Sequence, residues 1–343
     1  MKIMAVWKPW LYFSSPEDVV FAAMALGCDE ICLKAADGTI EYGINAEVKA
    51  RWGGGTIRDL EPAAKAQGIE ISIWVIPYFW EPEKEAALIR RLALFYNAAV
   101  YLDVELFRKR GFFRGTKIKV ENGVEYIANV GPFIRLLGRL PKPVYLQSVR
   151  RPYRLDGSPA RWVPYHPEIQ IEKWLSYRDP LAGGAYIVDG ISPQLYPMGW
   201  KGEKNFREQT ILDIDSNLEV LRRLGRSEIV WIPTLPAFEE HAWSPTPAEL
   251  AAEISALREK LGSRLVGLHF WTLDFSKKLP DLFASIAGIP DPAGPPPPPP
   301  ESLRAWATRA GVYREKVLSL FDRMPIDVVV EIRANDPGPP PAE

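Results

Sequence analysis

Two carboxylates, Asp103 and Glu105, are the residues of this chain whose type and spacing most directly suggest chemistry. They lie in the segment Tyr101-Leu102-Asp103-Val104-Glu105, which has the character of a strand, and side chains on a strand alternate between its faces. The two acids and Tyr101 therefore share one face, while Leu102 and Val104 take the other. A carboxyl group close to a second carboxylate holds its proton more tightly, as a general acid must near neutral pH.

An acid pair of this kind suits the hydrolysis of glycosidic bonds. In that reaction a protonated carboxylic acid donates to the leaving oxygen, while a second group supports the oxocarbenium-like state. We predict that Glu105 is the acid and that Asp103 orients it and tunes its pKa. The structural alternative is that the carboxylates form ion pairs with Lys34 or with an arginine.

Polar and aromatic residues near the ends of other apolar segments are candidates for binding a substrate beside this pair. An indole can form an apolar floor under a sugar ring, which is the role we predict for Trp271. The predicted substrate-binding residues are Lys34, Tyr78, Gln147, Asp189, Gln194, Tyr196, His269 and Trp271. Structural alternatives stay open, with Trp271 as a core residue, Asp189 as a strand-end cap and His269 as a hydrogen-bonded interior histidine.

The elements that must position these residues follow an alternating pattern. Short apolar runs rich in β-branched and aromatic residues alternate with amphipathic stretches, which is typical of βα units. Strands are predicted near residues 2–7, 30–35, 69–77, 98–106, 143–149, 185–195, 228–234 and 265–273. Eight such units in about 290 residues predict an α/β protein, a (β/α)8 TIM barrel over residues 1–288. An open doubly wound sheet is the alternative, although no glycine-rich dinucleotide fingerprint follows the first strand.

Helices are predicted between the strands. Ser15 followed by Pro16 is a typical helix start, and residues 82–96 show strong helical periodicity. The other predicted helices cover residues 57–67, 130–139, 168–177, 207–224, 246–262 and 280–287. In a barrel of this type the site forms at the carboxyl ends of the strands, which is where the candidate residues are expected to converge.

The composition changes after Gly288. Residues 289–300 form a proline tract, which favours an extended polyproline linker. Residues 301–343 are predicted to be a short C-terminal α/β extension, with a helix over 301–324 and a strand at 328–332. About 40 residues are too few for a strong independent core, so we expect this tail to dock on the barrel, on another subunit or on a larger assembly.

Charge and cysteine content argue against several kinds of partner. The net charge of −1, from 42 basic and 43 acidic residues, gives no general attraction to nucleic acid or anionic membranes. No apolar run reaches the roughly 18 residues of a membrane span. Cys28 and Cys32 match no zinc spacing and the three histidines are scattered, so no metal and no cofactor is predicted.

The N-terminus lacks a classical signal peptide. The localisation stays open, and cytoplasmic synthesis followed by phage-type release or virion association is the expectation.

The segments around the acidic pair resemble two families of glycoside hydrolase barrels. ICLKAADGT and YLDVE are similar to the second-strand and fourth-strand motifs of the family 25 lysozymes. The family 18 chitinase-like proteins have a fourth-strand Asp-x-Glu, a sixth-strand Tyr and an eighth-strand Trp-[Ser/Thr], which match Asp103, Glu105, Tyr196, Trp271 and Thr272. The resemblance implies a glycoside hydrolase barrel in which the glutamate is the catalytic acid and the tyrosine steadies the acetamido group of the substrate.

Two regions depart from those families. The first strand, AVWKPW, has no carboxylate where the lysozymes carry an Asp. Ala98 and Tyr101 occupy the part of the fourth strand where the chitinases have further acids.

Three functions are therefore compatible with the sequence. The first is hydrolysis of an N-acetylhexosamine-containing polysaccharide, with peptidoglycan as the preferred substrate, as in a lysozyme-like phage lysin. The second is a catalytically inactive sugar-binding or structural barrel, for example in a phage tail or surface assembly. The third is a barrel enzyme of another class that uses Lys34 as an amine nucleophile or base.

Overall fold

The computed structural model describes residues 1–104, 118–122, 124–156, 161–196, 205–238, 244–272 and 285–289. Its main sheet is built from strands that pair in parallel with their neighbours along the chain. The strands are β1 (Lys2–Val6), β2 (Glu30–Asp37), β3 (Glu70–Ile76), β4 (Ala99–Val104), β5 (Val144–Ser148), β6 (Gly190–Ile191), β7 (Val230–Trp231 and Thr234–Pro236) and β8 (Leu268–Trp271).

The sheet closes on itself through β7. Its first segment pairs with β6, its second segment pairs with β8, and β8 pairs in turn with β1. A single strand, interrupted at Ile232 and Pro233, thus joins both ends of the sheet. Eight parallel strands closed in this way form a (β/α)8 barrel, which confirms the predicted fold class.

Helices lie between successive strands. Their bounds are α1 (Pro16–Ala25), α2 (Ala46–Arg51), α3 (Leu60–Ala66), α4 (Pro82–Tyr96), α5 (Val130–Leu137), α6 (Ile171–Ser176), α7 (Phe206–Leu224) and α8 (Pro247–Leu261). The Ser15 side chain accepts from the Asp18 N–H at the start of α1, as the sequence predicts. Asn97, with a left-handed φ of 47°, ends α4. In the part of the chain that the structure describes, no helix is long and apolar enough to span a bilayer.

The alternation of side chains divides the apolar residues between two cores. Leu102 and Val104 of β4 face outwards and pack in the large core between the sheet and the helices. Tyr101 and Asp103 face inwards, as predicted from their spacing. The barrel interior is filled by a smaller cluster of Ile3, Cys32, Trp74, Tyr101 and Ile232.

The sixth strand is much shorter than predicted. The sequence predicts a strand over residues 185–195, whereas only Gly190–Ile191 joins the barrel and Ala185–Tyr186 pairs with Arg178–Asp179 in a separate hairpin. Pro193 has no N–H to donate to a ladder, which limits the length of this strand. Gly190 is required at its start, since a Cβ there would lie 2.6 Å from the ring of Tyr145.

Two antiparallel hairpins that the sequence did not predict follow β4 and β5. One pairs Ile118–Glu121 with Val124–Ile127, and the other pairs Tyr153–Asp156 with Arg161–Pro164. Apart from Ile289, the predicted linker and C-terminal extension lie outside the described residues.

Candidate active site

Asp103 lies inside the barrel near the carboxyl end of β4 and is only 2% exposed. Its Oδ2 accepts a hydrogen bond from Trp74 Nε1 at 2.8 Å, and its Oδ1 accepts one from Gln194 Nε2 at 2.9 Å. Hydrogen bonds to a buried carboxylate stabilise its charged form and fix its orientation. Both of these donors are neutral, so they bind and orient the carboxylate of Asp103 without adding a positive charge.

A second polar group lies beside Asp103 and centres on the hydroxyl of Thr234. Gln147, which is in register with Asp103, donates from Nε2 to Thr234 Oγ1 at 3.2 Å. Ser192 Oγ and His269 Nδ1 lie 2.9 Å and 3.2 Å from the same oxygen. The structure therefore brings the predicted residues Gln147 and His269 together through Thr234, which was not predicted as a site residue.

His269 makes this part of the interior polar without making it charged. The side chain is completely buried, and burial lowers its pKa from 6.5 to about 3, so the imidazole is neutral at physiological pH. Its ring centroid is 4.9 Å from that of Tyr101, the preceding inward-facing residue of β4. A phenol, and not a second acid, thus precedes Asp103 on this face.

Three tryptophans form an aromatic group at or near the carboxyl ends of β1, β3 and β8. The ring of Trp271 meets Trp74 edge-on with 4.2 Å between centroids, and it lies 6.4 Å from Trp7 at an interplanar angle of 24°. Trp271 is partly exposed, whereas Trp74 is buried. Trp7 and Trp74 were not predicted as site residues, because a tryptophan on a strand is equally compatible with ordinary core packing.

Lys34 lies among these rings and forms an ion pair with Asp37. Its Nζ is 2.8 Å from Asp37 Oδ2, and its side chain is 7% exposed. The ammonium is 5.5 Å from the ring centroid of Trp7, 4.7 Å from that of Tyr42 and 4.9 Å from that of Trp74, which are cation–π distances. The alternative in which Lys34 neutralises the carboxylate of β4 is therefore wrong for Asp103. An ion-paired ammonium is also a poor nucleophile, which disfavours the hypothesis of amine catalysis.

Tyr78 follows β3 next to Asp37. Burial and the neighbouring Asp37 carboxylate raise the pKa of Tyr78 above its ordinary value, so its hydroxyl stays protonated. The Tyr78 ring packs against Trp80 with 4.9 Å between centroids. The buried Glu85 carboxylate of α4 fixes this loop, since it accepts from the backbone N–H groups of residues 78 to 81 at 2.7, 2.9, 2.8 and 3.1 Å.

Tyr196 lies on the carboxyl side of β6, two residues after Gln194. Its backbone N–H donates to the Gln194 carbonyl at 3.2 Å, and its own carbonyl accepts from Arg150 Nη1 at 3.2 Å. Its ring meets that of Phe238 edge-on at 5.3 Å. The structure thus places Tyr196 beside the residue that binds Asp103.

Asp189 lies at the other end of the barrel. Its Oδ2 accepts from the N–H of Val144, the first residue of β5, and its Oδ1 pairs with Arg139 Nη1 at 2.6 Å. The expected position at the mouth is wrong because β6 begins at Gly190, so that Asp189 precedes the strand instead of following its end. Asp189 joins the amino-terminal ends of two strands.

Glu105, the predicted acid, lies outside the described residues, and its role stays a prediction. It is the next residue in the sequence after Val104, the last residue of β4. Among the residues that the structure describes, no three or more His, Cys, Asp or Glu side chains are grouped so as to hold a metal ion.

Comparison with known proteins bears on the fold. No protein-family model matches the chain, and no curated protein matches it in sequence. The solved structure of a GH18 chitinase from Pseudoalteromonas aurantia is similar with a TM-score of 0.51 and 16% identity, over 83% of this chain and 98% of that one. The spore cortex-lytic enzyme SleL of Bacillus cereus gives a TM-score of 0.47 and 10% identity, over 83% of this chain and 73% of that one. The chitinase similarity shows that the two chains share the barrel fold.

Proposed function

We propose that this barrel is a glycoside hydrolase that cleaves an N-acetylhexosamine-containing polysaccharide, with peptidoglycan as the preferred substrate and Glu105 as the general acid. The observation that carries the proposal is the buried Asp103 carboxylate, which is held by Trp74 and Gln194. The interior of a barrel is normally filled by branched apolar side chains, and a buried carboxylate costs desolvation energy. We infer that the Asp103 carboxylate is present in the interior because it has a function there.

The function that we infer for Asp103 is to keep a proton on Glu105. The two residues are separated by one position, the spacing at which side chains share a strand face. A fixed anion beside Glu105 disfavours the loss of its proton and so raises its pKa. Since Trp74 and Gln194 favour the charged form of Asp103, the proton of the pair belongs on Glu105.

In the proposed reaction, Glu105 gives its proton to the glycosidic oxygen as the bond between that oxygen and the anomeric carbon breaks. The Asp103 carboxylate stabilises the positive charge that develops on the sugar, and Tyr196 holds the acetamido group of the substrate. Water then adds to the anomeric carbon and returns a proton to Glu105, which restores the starting state of the enzyme.

The tryptophan group supports a saccharide as the ligand. Trp271 is partly exposed and is backed by Trp74 and Trp7. A supported indole offers a large, rigid apolar surface, which fits the apolar C–H face of a sugar ring. The ammonium of Lys34 and the hydroxyl of Tyr78 lie on the same side of the barrel and supply polar groups for the edge of such a ring.

The variant Glu105→Gln tests the acid directly. We expect release of sugar fragments from purified cell walls and from chitin oligosaccharides to fall by at least about a hundredfold, because the side chain keeps its shape and loses its proton. Saccharide binding should persist. Asp189→Asn is the matched control, since it alters a carboxylate at the other end of the barrel, and its activity per folded molecule should be unchanged. Full activity of Glu105→Gln would show that the assignment is wrong.

Cell walls and chitin oligosaccharides together distinguish the general proposal, a glycoside hydrolase, from the specific one, peptidoglycan as the substrate. Cleavage of cell walls together with weak or no cleavage of chitin oligosaccharides would support peptidoglycan as the substrate. Cleavage of chitin oligosaccharides alone would support a glycosidase of this class and overturn the preference for peptidoglycan.

A saccharide-binding barrel without catalysis is the second candidate, and the first strand favours it. No carboxylate lies on β1 or in the four residues that follow it, and Tyr101 precedes Asp103 where the chitinase motif has an acid. This candidate predicts that the unmodified chain binds chitin oligosaccharides or cell walls without turnover, and that Glu105→Gln binds as well. Binding and turnover measured on one preparation distinguish the two functions.

A further inference from the structure

A polar stripe runs along α7. Gln209, Asp213, Ser216 and Asn217 lie at positions i, i+4, i+7 and i+8, which share one face of a helix. Asp213, Ser216 and Asn217 are buried. Buried polar groups are costly unless they are hydrogen-bonded, so their partners identify what this face of the helix holds.

Two of these residues bind the backbone of the loop that follows β5. Ser216 Oγ donates to the carbonyl of Tyr153 at 2.7 Å and accepts from its N–H at 2.9 Å. Asn217 Nδ2 donates to the carbonyl of Arg150 at 3.0 Å. The loop is thereby fixed to α7 at both of these residues.

Asp213 and Gln209 bind the side chains of the same loop. Asp213 pairs with Arg150 through its Oδ2 and with Arg151 Nε at 2.8 Å through its Oδ1. Gln209 Oε1 lies 3.4 Å from Arg150 Nη2 and 3.2 Å from Arg151 Nη2. Asp213 is a fully buried carboxylate with two arginine partners, so its loss would leave both guanidinium groups without the anion that binds them.

Arg150 connects Asp213, the anchor of this loop, to the candidate active site. Its Nε binds Asp213, while its Nη1 donates to the carbonyl of Tyr196 at 3.2 Å. Within the described ranges, the partners of Arg151 are Asp213 and Gln209. The two arginines therefore share the anchor but differ in their contact with Tyr196.

We propose that Arg150 is a positioning residue, which sets the place of Tyr196 at the barrel mouth relative to α7. Its functional consequence rests on the proposed function, in which Tyr196 contacts the substrate. The planar guanidinium makes this possible, because one of its nitrogens binds Asp213 while another binds the Tyr196 carbonyl. Lysine keeps the charge for Asp213 but has a single nitrogen, so it cannot make both contacts in the same fixed geometry.

The test compares Arg150→Lys and Arg150→Ala with Arg151→Ala as the matched control. Hydrogen exchange is followed by mass spectrometry in a peptide that covers residues 190–196. We expect amide exchange around Tyr196 to accelerate by about tenfold or more in both Arg150 variants, because local opening becomes easier once the side chain that fixes this segment is lost. Arg151→Ala should leave this peptide unchanged while it weakens the same anchor.

Saccharide assays then test the consequence for the substrate. We expect the KM for a chitin oligosaccharide to rise about tenfold in Arg150→Lys, with kcat within about threefold of the unmodified chain, since the change displaces a binding group. Combining Arg150→Lys with Tyr196→Phe should add little to the effect of Tyr196→Phe.

The two proposals fail in different ways. Equal exchange in the Arg150 and Arg151 variants, whether both change or neither does, would overturn the positioning role even if the chain cleaves glycans. Faster exchange in the Arg150 variants alone would support the positioning role even if the unmodified chain cleaves no glycan. The absence of glycan cleavage by the unmodified chain would overturn the proposed function.

Discussion

Trp74 Nε1 donates a hydrogen bond to Asp103 Oδ2 at 2.8 Å, and the ring of the same indole lies 4.9 Å from Lys34 Nζ. One side chain thus contacts both a buried anion and a buried cation. The two charges do not pair with each other, because the ammonium of Lys34 binds Asp37. The site therefore contains two charged groups that share a contact with Trp74, while Asp37 binds the ammonium of Lys34.

Trp74→Phe keeps an aromatic ring in the barrel and removes the donor to Asp103. We expect the free energy of unfolding to fall by about 1–3 kcal/mol, which is the usual cost of depriving a buried polar group of its partner. Urea unfolding at neutral pH measures this loss. A free energy of unfolding that is unchanged in Trp74→Phe would show that the hydrogen bond from Trp74 to Asp103 contributes little to stability.

The second prediction concerns the contribution of the Lys34–Asp37 ion pair to stability. Lys34→Met keeps an unbranched chain among the aromatic rings but leaves the Asp37 carboxylate without its cation, so we expect a loss on the order of 2 kcal/mol in urea unfolding. The double variant Lys34→Met/Asp37→Asn removes both charges and should recover most of that loss. The single variant Asp37→Asn completes the comparison. If the losses of Lys34→Met and Asp37→Asn simply add in the double variant, the ion pair makes no net contribution.

Much of the barrel could be predicted because its strands are mainly apolar and its helices carry clear terminal signals. The helix predicted over residues 82–96 has the observed bounds, since Pro82 fits its first turn and Asn97 ends it in a left-handed conformation. The sixth strand was predicted too long because apolar residues recur from Ala185 to Leu195, whereas the pairing of this run depends on partners elsewhere in the chain.

The candidate site was predictable one strand at a time. The alternation of side chains along β4 was enough to predict that Asp103 faces the interior. Its donor Trp74 was missed because the contact depends on how β3 and β4 pair, and a single sequence does not reveal that register. Thr234 was missed for the same reason, since the role of its hydroxyl depends on Gln147, Ser192 and His269, which lie far from it in the sequence.

His269 predicts a specific pH dependence of stability. Its pKa is about 3 in the folded chain against an ordinary value of 6.5, so between these values the unfolded chain binds a proton that the folded chain does not. Stability from this residue is fully present above pH 6.5 and is lost as the pH falls towards 3. The slope amounts to at most about 1.4 kcal/mol per pH unit.

His269→Gln isolates this contribution, since glutamine does not titrate. The free energy of unfolding between pH 7 and about pH 4 should fall less steeply in His269→Gln than in the unmodified chain. His166→Gln, which replaces a half-exposed histidine, controls for the loss of an imidazole from the unfolded state. Equal slopes in His269→Gln and the unmodified chain would contradict a neutral, buried His269.

Trp271 gives the prediction that most directly separates a ligand floor from ordinary core packing. If its ring supports a sugar, Trp271→Ala should weaken binding of a chitin oligosaccharide by about tenfold or more, equivalent to at least about 1.4 kcal/mol. Trp271→Phe should lose less, because a smaller ring remains against Trp74. Calorimetric titration of each folded variant measures these affinities.

The outer surface of α4 provides the control for this experiment. Phe95 is 56% exposed and packs against Tyr96 and Arg58, on the outside of the barrel. Phe95→Ala removes a comparable aromatic surface and should leave the affinity unchanged. If Trp271→Ala lowers the stability of the chain but its folded fraction keeps the affinity for the saccharide, Trp271 is a core residue. A packing role changes the fraction of folded chain, whereas a ligand floor changes the fraction of folded chain that binds the saccharide. We expect the loss of affinity, because Trp271 contacts Trp74, the indole that binds Asp103.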